Sequence, residues 1–537
     1  MLFRSVSKVQ LGVCAALTSL ILVNATTSNA QQFVIKLKGG AGGFTQELSG
    51  LQLGAKLRLL DTHRTGSLVL VDIPAKDQQE VAAQLTSLAA ENDLEYIVPN
   101  IIFHAFEAPN DTQYSQQWAL PKVRAEAAWA INPGNKEVTV AVIDTGVDWT
   151  HTEFFGQIRE NSLEIPGNGM DDDNNGFVDD VHGWDFKDND NNPNDETSSK
   201  NPGHGTHCAG IIGAAANNGV GISGIAQQVG ILPVRFLGSD GSGDLMTAAK
   251  AIDYASGMKV DVISASWGAA VPRDQVKPIL DAIERAGAQG IVFVAAAAND
   301  GKNNDIREVY PANGGFANMI SVAASDPQDG KPSWSNYGLA TVDLAAPGLD
   351  ILSTIPKNGY QKLSGTSMAT PLVAGSVALV IAEAQARNKN MTPQEIKAIL
   401  QGTGAKVAID TACKCRIDVG AALAMVRDNT LVVLPNAATM GLTAKKQFTG
   451  FGGKAPFTFA SSNPAVAAIG SDGTLTAATK GETTVTVTDS AGAKAASRTI
   501  YVGQAAPKDP GGSCPLNPPQ LCDILCQIDP SLPWCKK

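Results

Sequence analysis

The stretch Val138-Thr139-Val140-Ala141-Val142-Ile143 is apolar almost throughout and stops at Asp144-Thr145-Gly146. A strand with no polar face is buried on both sides, as in a parallel sheet covered by helices. Comparable runs recur at Ile231–Arg235, Val260–Ala265, Ile291–Ala297 and Met319–Ala323, with helical spacing between them. That alternation predicts an α/β domain with a doubly wound, mostly parallel sheet over residues 108–427. Ligands of such sheets bind beyond the carboxyl ends of the strands. Asp144 therefore stands where chemistry is expected.

The flanking regions read differently. Residues 1–30 carry Arg4 and Lys8, an apolar run Leu11–Val23 and a small-residue end at Ser28-Asn29-Ala30, the pattern of a secretory signal. No other stretch reads as long and apolar enough to span a bilayer. Residues 31–107 form an α+β unit, with strands at Phe33–Leu37, Ser67–Val71 and Glu95–Asn100 and a helix over Asp77–Ala90. Residues 428–503 turn to short Val/Thr alternations between Gly, Asn and Asp turns, the signature of a β-sandwich, with Thr483–Thr488 its clearest strand. Residues 504–537 are a Pro/Gly linker and a cysteine-rich tail.

The net charge of -11 argues against nucleic acid and anionic membrane as partners and leaves carboxylates for cations. Of eight cysteines, Cys14 falls in the signal; Cys208, Cys413, Cys415, Cys514, Cys522, Cys526 and Cys535 remain. One odd thiol and six that can pair suit an oxidising, extracellular compartment. A zinc knuckle is the competing reading of the tail, but paired C-x-x-C units and a nearby histidine are missing. Cys413 and Cys415 are close enough only for a strained bridge, which points to partners in the tail.

Three segments carry chemistry: Asp144-Thr145-Gly146 at a strand end, Gly203-His204-Gly205-Thr206-His207-Cys208-Ala209-Gly210 opening one helix, and Gly365-Thr366-Ser367-Met368-Ala369-Thr370-Pro371 opening another. Ser367 needs a base to become a nucleophile, His204 supplies one near neutral pH, and Asp144 would fix the imidazole tautomer. The order Asp, His, Ser and all three segments resemble the signature blocks of the subtilisin-like serine proteases, of the thermitase and proteinase K type. A fourth block, Val294–Asp300, resembles that family's oxyanion strand, with Asn299 as donor. The resemblance implies a serine endopeptidase acting on protein substrates through an acyl-enzyme. It also implies a substrate groove between Gly241-Ser242-Gly243 and Ser266-Trp267-Gly268. Ala298 stands where the family usually has Gly, and Val309 near the base of the first specificity pocket, so a shallow pocket is expected. Cys208, one helical turn after His204, reads as packing rather than catalysis.

Residues 164–202 are crowded with Asp and Asn. Asp185, Asp188, Asp190, Asn192 and Asn194 resemble a calcium loop of thermitase-like members. Asp171, Asp173, Asn175, Gly176 and Asp179 follow a D-x-D-x-N-G ladder, with His182 rather than Glu at its twelfth position. Asn218, the carbonyls of Val220 and Ile222, and Glu153, with Asp111 to complete the set, resemble the family's strong calcium loop. Structural Ca2+ is therefore expected. By the same resemblance, residues 31–107 are an inhibitor-type propeptide of ferredoxin-like fold that holds its own enzyme inactive. Residues 428–503 resemble a bacterial immunoglobulin-like domain, for which a spacer role is the expectation. The whole is expected to be a secreted monomer. The rival reading is a surface adhesion protein on an inactive protease scaffold; a lipase is disfavoured because G-x-S-x-G is missing at Ser367.

Overall fold

The computed structural model describes residues 31–37, 58–62, 68–73, 94–99, 108–429, 431–435, 438–497 and 499–503. The signal, the helix expected over 77–90 and the cysteine-rich tail lie outside the described residues. Four strands of the first unit, β1 (Gln31–Leu37), β2 (Arg58–Thr62), β3 (Leu68–Ile73) and β4 (Leu94–Pro99), pair antiparallel in the order β2-β3-β1-β4. Ile35 and Val71 are its buried residues among those described.

The region 108–427 is built on one central sheet. Its parallel strands are β5 (Gly134–Asp144), β6 (Trp184–Asp185), β7 (Gln228–Arg235), β8 (Val262–Ala265), β9 (Val292–Ala296), β10 (Met319–Ser325) and β11 (Leu344–Pro347). Among the described residues the order runs β6-β7-β5-β8-β9-β10-β11, and a short antiparallel hairpin at 405–416 extends it. Val138, Val140 and Val142 face one apolar cluster, while Ala141 and Ile143 face the other. That two-sided burial is why the strand reads as an unbroken apolar run. Asp144 lies in register with Arg235 at the ends of β5 and β7.

Helix α1 (His204–Gly213) and helix α4 (Thr366–Ala386) pack in the same core cluster, with α2 (Leu245–Gly257) and α3 (Lys277–Ala288) in the cluster on the opposite face. Helix α4 is long and apolar enough to cross a membrane by length and composition, contrary to the sequence expectation for this stretch. It is instead the buried central helix of the domain, which is why it is apolar all round. Cys413 and Cys415 are bonded to each other and not to the tail, with Cα atoms 5.1 Å apart. Lys414 between them takes φ 46°, which turns both cysteines to one side.

Residues after Leu431 form short strands around a core of Phe448, Leu475, Val485, Val487, Ile500 and Val502. The strand expected over 483–488 is two strands, because the chain changes sheets at Thr484. Gly481–Thr483 pairs with Ile500–Val502, whereas Val485–Thr488 pairs with Thr458–Ser461 and Lys494–Ala496. This module is seated against the α/β region. Leu434 and Phe451 belong to the larger core cluster of that region, and a side chain on Gly402 of the Pro393–Thr403 helix would meet Leu434 Cδ2 at 2.6 Å.

Candidate active site

The three sequence blocks converge. Asp144 is buried at the end of β5, and its Oδ1 lies 2.7 Å from His204 Nδ1. The same oxygen accepts the Thr145 backbone N–H at 2.7 Å. A ring nitrogen of His204, a carboxylate oxygen of Asp144 and the Cys208 thiol lie within 4.8 Å of one another. That thiol in turn contacts the Ser367 carbonyl at 3.5 Å, so α1 and α4 meet at the candidate residues. Burial pushes the His204 imidazole down, but the Asp144 charge, its hydrogen bond and the Asp195 charge more than offset this, leaving a raised pKa. His207, buried on the same helix, is pushed down to about 3 and stays neutral. Burial drives the Cys208 thiol well above its ordinary value, so it is inert packing, as its position suggested.

Pro371 explains how the serine turn is tied down. Lacking an N–H, it frees the Ser367 carbonyl four residues earlier. That carbonyl accepts the Ser266 hydroxyl at 2.9 Å as well as the Cys208 thiol. The Ser367 hydroxyl rests on the Ser266 carbonyl at 3.2 Å and must rotate to reach an imidazole. Asn299 Oδ1 accepts both the backbone N–H and the hydroxyl of Thr366, at 2.9 and 3.0 Å. Its amide NH2 is thereby turned toward the Gly365–Ser367 turn, lying 3.4 Å from where a Gly365 side chain would begin. The first-turn N–H of Ser367 has no intrahelical acceptor. Two donors therefore border Ser367, the arrangement an oxyanion site requires. Thr366 was not singled out from sequence, although its place between Gly365 and Ser367 was a signal.

The groove residues are placed on the same side. Ser266, Trp267 and Gly268 continue beyond β8, with Trp267 Nε1 donating to the Ile143 carbonyl at 2.8 Å. Gly241, Ser242 and Gly243 are exposed and lie in a bend and extended segment outside the sheet ladder. The Ser242 hydroxyl is held by Asp240 at 2.7 Å. Val309 is buried, with Cγ1 3.4 Å from where a Gly268 side chain would begin. Ala298 has φ 86°, a left-handed conformation that suits glycine better.

The subtilase family pattern matches residues 135–430, and that of the bacterial Ig-like domain (group 2) matches residues 426–500. This chain belongs to the subtilase family. The thermophilic serine proteinase of Bacillus sp. (strain AK1) is 38% identical over 316 residues, 59% of this chain and 68% of that protein. Thermitase of Thermoactinomyces vulgaris is 38% identical over 301 residues, 56% and 92% of the two chains. The extracellular basic protease of Dichelobacter nodosus is 30% identical over 434 residues, 73% and 70% of the two. The subtilase described above is thus a serine-type peptidase with an appended Ig-like domain.

The subtilase's three expected cation loops differ. In 185–194, Arg235 fills the centre: its buried guanidinium bonds Asp185 Oδ2, Asp188 Oδ2 (2.7 Å) and Glu196 Oε2 (2.9 Å). Asp190 and Asn194 spend an oxygen each on the N–H groups of Asn192 and Asp195, both at 3.0 Å. Asn192 itself is exposed. This set does not fit a cation shell, because a cation of the protein's own already sits there. In the Glu153 set the carboxylates are turned to protein donors. Glu153 Oε1 accepts the Ile222 N–H (2.9 Å) and the Tyr360 hydroxyl (2.8 Å), and Oε2 accepts Asn218 Nδ2 (2.9 Å). Asp111 takes the N–H groups of Asn217 and Asn218. The extra methylene of Glu over Asp carries the carboxylate against Gly221, whose side chain would start 2.0 Å from it. The Asn218 oxygen accepts the Val220 N–H at 2.8 Å, which closes the turn at 218–220.

The ladder region does gather oxygens. Glu164, Asp173 and Asp180 each present a carboxylate oxygen within 4.8 Å of the others. Glu164 and Asp180 are buried. Among the described residues, none of the three forms an ion pair with a basic side chain; Arg159 lies near enough to act on Tyr254, whose hydroxyl donates to Asp180. Asp171 closes the turn through Asn175 and Gly176 N–H groups, and Asp179 through those of Gly167, Asn168 and Gly169. Asp171, Asn175 and Asp179 thus shape the loop, while Glu164 and Asp180 were missed because neither falls on the alternating ladder.

Proposed function

We propose that this peptidase is a secreted, self-processing endopeptidase in which Ser367 attacks the scissile carbonyl, His204 takes and returns the proton, and Asp144 holds the imidazole tautomer. The observation that carries this is the 2.7 Å Asp144–His204 contact beside a serine that opens a helix. Asn299 and the Ser367 N–H would stabilise the tetrahedral oxyanion. Extended peptide substrate would add between the 241–243 and 266–268 segments, where backbone pairing tolerates varied sequence. Val309 against Gly268 favours small or medium side chains in the first pocket. Residues 31–107 would act as propeptide and inhibitor, residues 1–30 as the export signal, and the mature enzyme as a monomer. Relatives named as extracellular proteases support secretion.

Calcium, if bound, would be held by Glu164, Asp173 and Asp180, where oxygens converge without a basic partner. It would neutralise their charge and stabilise the fold rather than take part in the chemistry. The test of the whole reading is to express the full chain and its Ser367→Ala form, then follow casein hydrolysis and propeptide release. Both are expected in the parent and neither in the variant. Release by purified Ser367→Ala chain alone would overturn the assignment.

A further inference from the structure

We propose that Asp195 is a positioning residue for His204, acting as the shared anchor of the side chains that cap the catalytic helix. This rests on the peptidase reading above and concerns how its base is held. Helix α1 begins after Gly203, which has no side chain to cap it. Its first four N–H groups are nevertheless all satisfied. Those of Gly203 and His204 go to Asn201 Oδ1 (3.0 and 2.8 Å), that of Gly205 to Thr145 Oγ1 (2.9 Å) and that of Thr206 to Asp195 Oδ2 (2.9 Å). The other two capping side chains both donate to Asp195 Oδ1: Thr145 Oγ1 at 2.9 Å and Asn201 Nδ2 at 3.2 Å. The Thr206 hydroxyl adds a bond to Oδ2 at 2.7 Å. One buried carboxylate thus reaches every free donor of the helix start, directly or through one intermediary.

The same residue spans the gap between base and acid. Thr145, which Asp195 holds by its hydroxyl, donates its backbone N–H to the Asp144 oxygen that faces His204. Strand end and helix start are therefore locked by a side chain that belongs to neither. The carboxylate also sits at the positive end of the helix, and because burial pushes its pKa up to about 6 its full charge acts on His204 only above that pH. The charged groups acting on His204 are Asp144 from β5 and Asp195 from the 191–203 loop; on its own helix His207 and Cys208 stay neutral. Removing the Asp195 charge therefore makes the imidazole easier to deprotonate.

The experiment measures kcat and KM against pH on a peptide substrate for Asp195→Asn and Thr145→Val, with Tm alongside. Asp195→Asn is expected to lower kcat about tenfold or more with KM within roughly twofold. It should also move the acid limb of kcat/KM to lower pH by roughly half a unit or more. Thr145→Val keeps the carboxylate but removes one hydrogen bond that favours its charge, so kcat should fall with a smaller shift of the limb in the same direction. An Asp195→Asn enzyme with an unmoved limb and kcat within about twofold of the parent would overturn the proposal. So would a rise in KM at constant kcat. Should Asp195→Asn not fold, an undiminished kcat in Thr145→Val overturns it. A parent chain that hydrolyses nothing, or a Ser367→Ala chain that hydrolyses as well, counts against the peptidase reading and not against Asp195.

Discussion

The catalytic cleft and the acidic loops both bury carboxylates, and they balance that charge in different ways. Asp144 and Asp195 are answered by an imidazole, hydroxyls and the first turn of a helix. The 185–196 loop is answered by a single buried guanidinium, Arg235. In the 161–180 loop, Glu164, Asp173 and Asp180 have amide and hydroxyl donors but no basic partner among the described residues. The lesson is that crowding of acids does not identify a cation site. What matters is whether the protein already supplies the opposite charge. By that measure the two regions should respond oppositely to mutation and to chelator.

The largest effect is expected in the cleft. Asp144→Asn keeps the shape but presents the wrong imidazole tautomer, and kcat should fall by about 10⁴ with little change in Tm. A fall below about tenfold would show that His204 is held by other means. Next, Asn299→Ala should lower kcat by about 10²–10³ at similar KM, a figure measured on subtilisin itself and carried over here. In the loops the readout is stability. Arg235→Met strands the buried Asp185 carboxylate and should cost about 3 kcal/mol, to the same extent with and without chelator. Asp180→Asn should remove whatever chelator-dependent Tm shift the parent shows; retention of that shift would break the contrast between the loops. The smallest effect is Ala298→Gly, which relieves a left-handed alanine and should stabilise by about 0.5–1 kcal/mol in thermal unfolding.

Residues whose place follows from periodicity were legible in the sequence. Asp144 ends an apolar run, and a strand of that length has one carboxyl end. His204 and Ser367 stand at helix starts that Gly203 and Gly365 mark in the sequence. Ligand loops have no such period. Arg235 lies 50 residues from Asp185, yet they meet because β6 and β7 are neighbouring parallel strands. Asp195 is separated from its helix by a loop of polar residues, so nothing local marks it as a cap. The Cys413–Cys415 bond hinged on one left-handed residue between them, a backbone choice that spacing does not express. Thr483–Thr488 read as one strand because its alternation is unbroken; the division follows from which partners its two halves find.

The central claim is that Ser367 is a nucleophile activated by His204 and Asp144. The most direct measurement is to treat the matured enzyme with phenylmethylsulfonyl fluoride and map the adduct by peptide mass spectrometry. The account predicts one sulfonyl group on Ser367, formed in step with loss of activity and much more slowly in a His204→Ala chain whose propeptide has been removed by added parent enzyme. Inactivation with the adduct on another residue, or equal labelling without His204, would contradict it.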